Sequence, residues 1–227
     1  MDLKHATPRH AAVPPSLAGR SEDARHRLLD VAEELFAQHG FSATSTRMIA
    51  KVAGVNLGSL HYYFNTKEAL YLEVFRRRGV PLVAERMRRL REARVRAGNS
   101  PVPVRELLHC FVQPFLETSL RSAPPAFTQL HCRLASEPME LAMLVRGSIY
   151  NESTRAFVQA FARTLSHLPE EVLFWRLHFM IGAYNYTLMR SGRLEFISEG
   201  RCESTDLDTA YRQMLPFLEA GLTAALP

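Results

Sequence analysis

Residues 44–64 read TSTRMIAKVAGVNLGSLHYYF, and this stretch decides the fold. Thr44 is placed to cap a short helix in which Met48, Ile49 and Val52 supply apolar contacts and Ala53 is small enough to lie under a crossing helix. Gly54 stops that helix, because a residue without Cβ takes the left-handed backbone of a tight turn at no steric cost. Val55 fills the angle, and Asn56 caps a second helix carrying Leu57, Gly58, Ser59, Leu60, His61, Tyr62 and Tyr63 before Phe64 anchors its end. Two short helices joined in this way make a helix-turn-helix. The small pair Gly58 and Ser59 permits close approach to another surface, while His61, Tyr62 and Tyr63 can hydrogen-bond and stack. Both properties suit a helix whose leading turn enters a DNA major groove. The competing reading is a helical hairpin inside an ordinary core.

The flanking sequence favours the first reading. Asn65 to Glu68, NTKE, is a capping-box pattern in which Asn65 covers the open amides of a new helix and Glu68 reaches back. Lys67 falls in the first turn, where the helix dipole disfavours a cation unless an anion joins it, and a DNA phosphate would serve. The net charge of +5 is unevenly spread: residues 1–96 carry 17 Lys and Arg against 10 Asp and Glu, the remaining 131 residues 11 against 13. A basic first part joined to a slightly acidic second one fits a DNA reader attached to a module with another task. Arg86, Arg88, Arg89, Arg91, Arg94 and Arg96 lie well beyond the motif and read as a solvated helix face.

Residues 28–75 resemble the DNA-binding domain of the TetR family of transcriptional repressors, through LLDVAEELFAQHGF, TSTRMIAKVAGV and GSLHYYFNTKEAL. The match covers about a fifth of the chain. It implies that Thr44 and Thr46 lie near phosphate, that Asn56 to Tyr62 form the recognition helix, and that Tyr63 and Lys67 touch the DNA backbone. The usual tyrosine before the x-Tyr-Phe ending is His61 here. The residues expected at DNA are therefore Thr44, Thr46, Arg47, Asn56, Leu57, Gly58, Ser59, His61, Tyr62, Tyr63 and Lys67.

The rest of the chain organises around this unit. Residues 1–20, with Pro8, Pro14, Pro15 and Gly19, read as a flexible arm. A helix-turn-helix domain over 21–78 begins at Ser21, buries Leu28, Val31, Ala32, Leu35 and Phe36, and ends its first helix at Gly40. A fourth helix from Thr66 reaches Arg78 before Gly79 and Pro81 break or kink it, which sets the boundary to a second domain over 79–227. After an arginine-rich helix over Pro81 to Ala97, further helices are expected at Val104 to Ser119, Pro125 to Ser136, Met139 to Leu168, Pro169 to Ser191 and Asp206 to Leu222. The fold class is all-α, a three-helix helix-turn-helix domain followed by a helical ligand-binding and dimerisation domain.

Pro169 to Arg190, PEEVLFWRLHFMIGAYNYTLMR, is apolar around most of its circumference and must be covered on all sides, by its own domain and by a second subunit. With the last helix it predicts a homodimer seam using Ile181, Leu188, Tyr211, Met214, Phe217 and Leu218, which would present two recognition helices to a palindromic operator. LFWRLHFMIGAYNYTL and QMLPFLEAG resemble the ligand domain of the TetR branch that represses fatty-acid degradation genes. The expected inducer is accordingly a long-chain fatty acid or acyl-CoA ester. The expected ligand residues are Phe111, Phe115, Phe127, His131, Arg133, Trp175, His178 and Tyr184, with Arg133 or His178 meeting the carboxylate. One alternative is a regulator of an efflux or detoxification gene that responds to an aromatic or cationic xenobiotic. A remoter one is a structural helical interaction protein. Neither His109–Cys110 nor His131–Cys132 can form a catalytic pair, because neighbours on a helix point apart, and no metal-ligand spacing occurs. No enzyme activity, cofactor, metal or membrane partner is expected, and residence is expected to be cytoplasmic.

Overall fold

The structure, a computed structural model, describes residues 17–121 and 126–226. Most of the expected arm, with Lys4 and Arg9, and the expected helix start at Pro125 lie outside the described residues. The architecture is all-α, with no strand among the described residues: α1 (Leu17–Ala43), α2 (Thr46–Val52), α3 (Leu57–Phe64), α4 (Lys67–Ala97), α5 (Val104–Arg121), α6 (Ala126–Arg133), α7 (Met139–Val145), a π-helical turn (Arg146–Tyr150), α8 (Asn151–Thr164), α9 (Glu170–Leu188), α10 (Arg193–Ile197) and α11 (Leu207–Thr223). None of these helices is long and apolar enough to cross a membrane.

The first unit closes around Leu28, Leu29, Ala32 and Phe36 of α1, Ile49 and Ala50 of α2, Leu60 and Phe64 of α3, and Leu70, Tyr71, Val74 and Phe75 of α4, all buried. Met48 and Val52 do not join it; they are 38% and 60% exposed, so α2 packs through Ile49 and Ala50 instead. Two of the caps expected from sequence move by one residue. Ser45, not Thr44, accepts the Met48 amide at the start of α2, and Thr66, not Asn65, accepts the Ala69 amide at the start of α4. Asn65 instead ends α3 with φ 57°, a left-handed position that asparagine tolerates.

The predicted break at Gly79 does not occur. α4 runs unbroken through Gly79 and Pro81 for 31 residues. A Cβ at Gly79 would sit 2.9 Å from both Ile149 Cγ2 and the Tyr150 hydroxyl, so the glycine serves a close crossing with the π-helical turn, not a helix end. Ion pairs tie the first half of α4 to α1: Arg77 to Asp30 and Glu33, each at 2.6 Å, Arg78 to Glu33 at 3.3 Å, and Arg25 to Glu73 at 3.0 Å. The single helix expected over Met139 to Leu168 is divided by the π-helical turn and ends at Thr164, and α10 was not anticipated.

In the second unit α5 packs on the far half of α4 and on α11, which in turn packs on α9; Leu82, Leu90, Leu107, Leu108, Leu173, Leu177 and Leu218 of these helices are buried. The two cores are continuous. Ring centroids step from Phe36 to Tyr71 (4.9 Å), Phe75 (5.0 Å), Phe127 (6.0 Å) and Phe115 (6.0 Å), then to Tyr184 (5.7 Å).

Candidate nucleic-acid interface and internal cavity

In the helix-turn-helix, Asn56 accepts the Ser59 amide at 2.7 Å and fixes the start of α3. Leu60 and Phe64 point inward and Leu57 packs partly against the core, which leaves Asn56, Gly58, His61 and Tyr62 exposed, Tyr62 to 83%. Arg47 is exposed on α2, and Thr46 and Ser59 are half-buried. The Tyr62 and Tyr63 rings meet edge to face at 5.4 Å. Gly54, with φ 64°, makes the turn as its sequence suggested.

Two of the expected contact residues are occupied otherwise. Thr44 is completely buried, and its hydroxyl donates to the Gly40 carbonyl at 2.8 Å, with the Leu35 carbonyl at 3.2 Å. It locks the α1–α2 junction and is not available to a phosphate. The Lys67 ammonium donates to the carbonyls of Phe41 and Thr44, both at 3.0 Å, and lies 4.0 Å over the Phe41 ring. Two of its three donors thus hold the same junction, and a phosphate could take only the third. The opposite side of that junction is held by the second unit. The Phe41 amide donates to the Glu137 carboxylate at 3.0 Å, and Gly40, at φ 80°, makes room for Arg133, whose Nε would lie 2.8 Å from a Cβ there.

Between α4, α6, the π-helical turn, α8 and α9 lies a cavity of about 530 Å³. Its wall includes Phe111, His131, Leu134, Tyr150, Tyr184 and Arg86, and its rim carries exposed Met143, Arg146, Arg155 and Ile181. A neighbouring cleft of about 570 Å³ shares Gly147, Asn151 and Arg155 with it. Arg86 is 4% exposed; its Nε donates to the Phe111 carbonyl at 2.7 Å, its Nη2 to the Tyr184 hydroxyl at 3.2 Å, and its guanidinium lies 4.0 Å from the Phe111 ring centroid. His131 Nδ1 pairs with the Tyr150 hydroxyl at 3.2 Å. His131 keeps a little accessible surface, yet burial, reinforced by the charges of Arg86 and Arg146, pulls its imidazole down to about 3. It is neutral at pH 7. Burial also pushes the phenols of Tyr150 and Tyr184 up, so both keep their protons.

Of the expected ligand residues, Phe111, His131 and Tyr184 line the cavity, and Phe115 and Phe127 are buried behind His131. The other three do not belong to it. Arg133 faces Glu137 and Gly40 at the junction between the units. Trp175 and His178 lie on the outer face of α9, where Trp175 is 55% exposed. The apolar circumference of α9 is divided between Leu173, Leu177, Met180, Tyr184 and Leu188 inside and Phe174, Trp175, His178, Phe179 and Met189 outside. The expected dimer set divides likewise. Leu188, Met214 and Leu218 are buried within the subunit, Tyr211 bonds to His109, and Ile181 stands at the cavity rim, which leaves Phe217 exposed beside Phe179. Gly182 lies on the outer face, and a Cβ there would meet nothing within the subunit.

Sequence reasoning missed Arg86, Tyr150, Arg146 and Arg155. For Arg86 a signal existed: Leu82, Arg86, Leu90 and Ala93 follow one another at helical spacing on a single buried stripe, whereas Arg88, Arg89 and Arg91 fall off it.

These features define an all-helical protein of two units, a helix-turn-helix end and a cavity-bearing bundle. Residues 28–74 match the model for bacterial regulatory proteins of the tetR family, and residues 109–221 match the tetracyclin repressor-like C-terminal domain. The chain thus has the fold of a TetR-family transcriptional regulator. Over 50 residues, 22% of this chain and 27% of the relative, it is 44% identical to the HTH-type transcriptional regulator QacR of Staphylococcus aureus. The chain spans about a quarter of the length of the relatives it matches in sequence. Among solved structures it is similar to NalD of Pseudomonas aeruginosa, a repressor of a multidrug efflux pump, at TM-score 0.59 and 23% identity over 91% of this chain and 100% of that one. It is also similar to the regulator FadR of Bacillus subtilis in complex with stearoyl-CoA, at TM-score 0.57 and 17% identity over 86% and 98%.

Proposed function

We propose that this chain is a cytoplasmic, non-catalytic repressor that binds a palindromic operator as a homodimer through the exposed face of α3 and is released when a small molecule fills the cavity. The observation that carries the first half is a capped helix with Tyr62 almost fully exposed and Leu60 and Phe64 anchoring it from behind. Arg47, Ser59, His61 and Tyr63 flank that face and are assigned to the same contact. The dimer is assigned to the outer faces of α9 and α11, where Trp175, Phe179 and Phe217 are exposed together and Gly182 leaves room for a crossing helix.

The effector is proposed to be a compact ring-bearing compound, of the kind met by regulators of efflux or detoxification, not an extended acyl chain. The rings of Phe111, His131, Tyr150 and Tyr184 around the cavity support this. The likeness of the fold to NalD, a repressor of a multidrug efflux pump, accords with it. The fatty-acyl reading loses its two expected head-group partners, since Arg133 and His178 lie away from the cavity. Two links carry the signal in this reading: α4, bound by ion pairs to α1, and α6 with the turn after it, which lead from His131 at the cavity through Arg133 to the Glu137–Phe41 contact at the helix-turn-helix. Release requires the effector to bind the non-DNA state more tightly; equal affinity for both would shift nothing.

Selection of duplexes from a random pool at moderate salt tests the repressor half. Recovery of one inverted-repeat sequence is expected, and a pool that stays random would refute it. Sedimentation at micromolar concentration should show a dimer that Trp175→Glu shifts toward monomer; a wild-type monomer would end the dimer assignment.

A further inference from the structure

The charge of the cavity narrows the effector class, an argument that rests on the effector reading above. Arg86 is buried without a carboxylate: no acidic side chain lies within ion-pair distance of it among the described residues. Its two recorded acceptors, the Phe111 carbonyl and the Tyr184 hydroxyl, are neutral, and Nη1 has no protein partner among the described residues. A buried cation in that condition is costly unless an anion joins it. Other arginines of the same helix are balanced, Arg77 by Asp30 and Glu33, Arg88 by Glu85 and Glu92, Arg89 by Glu85 and Glu117. Among the described residues no carboxylate lines the cavity, while Arg146 and Arg155 add positive charge at its rim. Beside the free edge of Arg86, the Tyr184 hydroxyl still has a proton to give, since it accepts from Arg86 and burial keeps it un-ionised. A guanidinium edge and a phenol side by side are a receptor for an oxyanion.

We propose that the cavity binds an organic anion with a compact aromatic body, its carboxylate paired with Arg86 and Tyr184 and its ring set against Phe111 and Tyr150. Arg146 and Arg155 draw the anion toward the rim and disfavour cations there. The apolar remainder of the wall, Leu134 and Ile181 with the rings, excludes a small inorganic anion as the preferred occupant.

Calorimetric titration of the full chain with four probes tests this: naphthoate, the neutral naphthamide, the cationic naphthylmethylammonium and the linear acid palmitate. Naphthoate should bind about tenfold or more tighter than the amide, with the ammonium weakest. Arg86→Met should abolish the advantage of the carboxylate over the amide. The assignment is overturned if the ammonium binds as tightly as the carboxylate, if only palmitate binds, if naphthoate does not bind, or if Arg86→Met leaves the carboxylate's advantage intact. Should that variant not fold, the ranking of the four probes on the unaltered chain decides. Naphthoate that binds in this order without displacing operator DNA would support the anion site and refute the release mechanism instead.

Discussion

Two stretches of α4, around Arg77 and around Arg86, use arginine in opposite ways. In the first, Arg77 bridges Asp30 and Glu33, with the Glu33 side chain only 5% exposed, and the helix becomes a strut fastened to the DNA-facing unit. In the second, Arg86 is as deeply buried but faces neutral oxygens and a cavity. Balanced charge builds scaffold, because removing either partner strands the other; unbalanced charge is held at a cost and marks a place for a ligand.

The largest effect expected from this contrast concerns acid. Because the imidazole of His131 is held near 3 in the folded chain against about 6.5 unfolded, the unfolded state binds the extra proton between those values. Its contribution to stability is therefore complete above about pH 6.5 and falls as pH drops toward 3, by up to about 1.4 kcal/mol per pH unit. Urea unfolding across that window should show a slope that His131→Asn reduces; an unchanged slope would mean that the imidazole is not held neutral by the cavity. Next in size, Glu33→Ala takes one of the two carboxylates from Arg77 and removes the carboxylate that Arg78 pairs with at the α1–α4 contact, and should cost about 2 kcal/mol in the same assay. A loss below about 1 kcal/mol would remove the claim that this stretch of α4 is a charge-balanced strut. Smallest is Arg86→Met. It deletes an uncompensated buried charge together with two hydrogen bonds, and stability should stay within about 1 kcal/mol of the unaltered chain. A severe loss would mean that Arg86 is part of the scaffold after all.

The same contrast explains what the sequence made legible. α3 could be read in detail because its determinants are local: Asn56 as cap, Gly54 as turn, Leu60 and Phe64 on one face. Gly79 and Pro81 misled for the complementary reason. Both are local helix breakers, and the packing of Ile149 and Tyr150 onto the bare Cα of Gly79 overrode them. In α9 residues of either side are apolar, so periodicity alone could not tell the Leu173–Leu177–Met180–Tyr184 stripe from the Trp175–His178–Phe179 side; the bundle decides which is inside. The polarity of Arg133 and His178 points to a head-group role, whereas the side a helix turns inward is a tertiary fact. The Gly40–Phe41 junction with Glu137, 96 residues away in the chain, had no local signature at all.

The central claim is that the exposed face of α3 binds DNA while Arg86 belongs to a separate site. Fluorescence anisotropy on one selected operator duplex, with the unaltered chain, Tyr62→Ala and Arg86→Met side by side, tests it most directly. Tyr62→Ala should weaken operator binding by about 1–3 kcal/mol, roughly tenfold or more, while Arg86→Met without effector binds like the unaltered chain. Equal operator affinity for Tyr62→Ala and the unaltered chain would contradict the account.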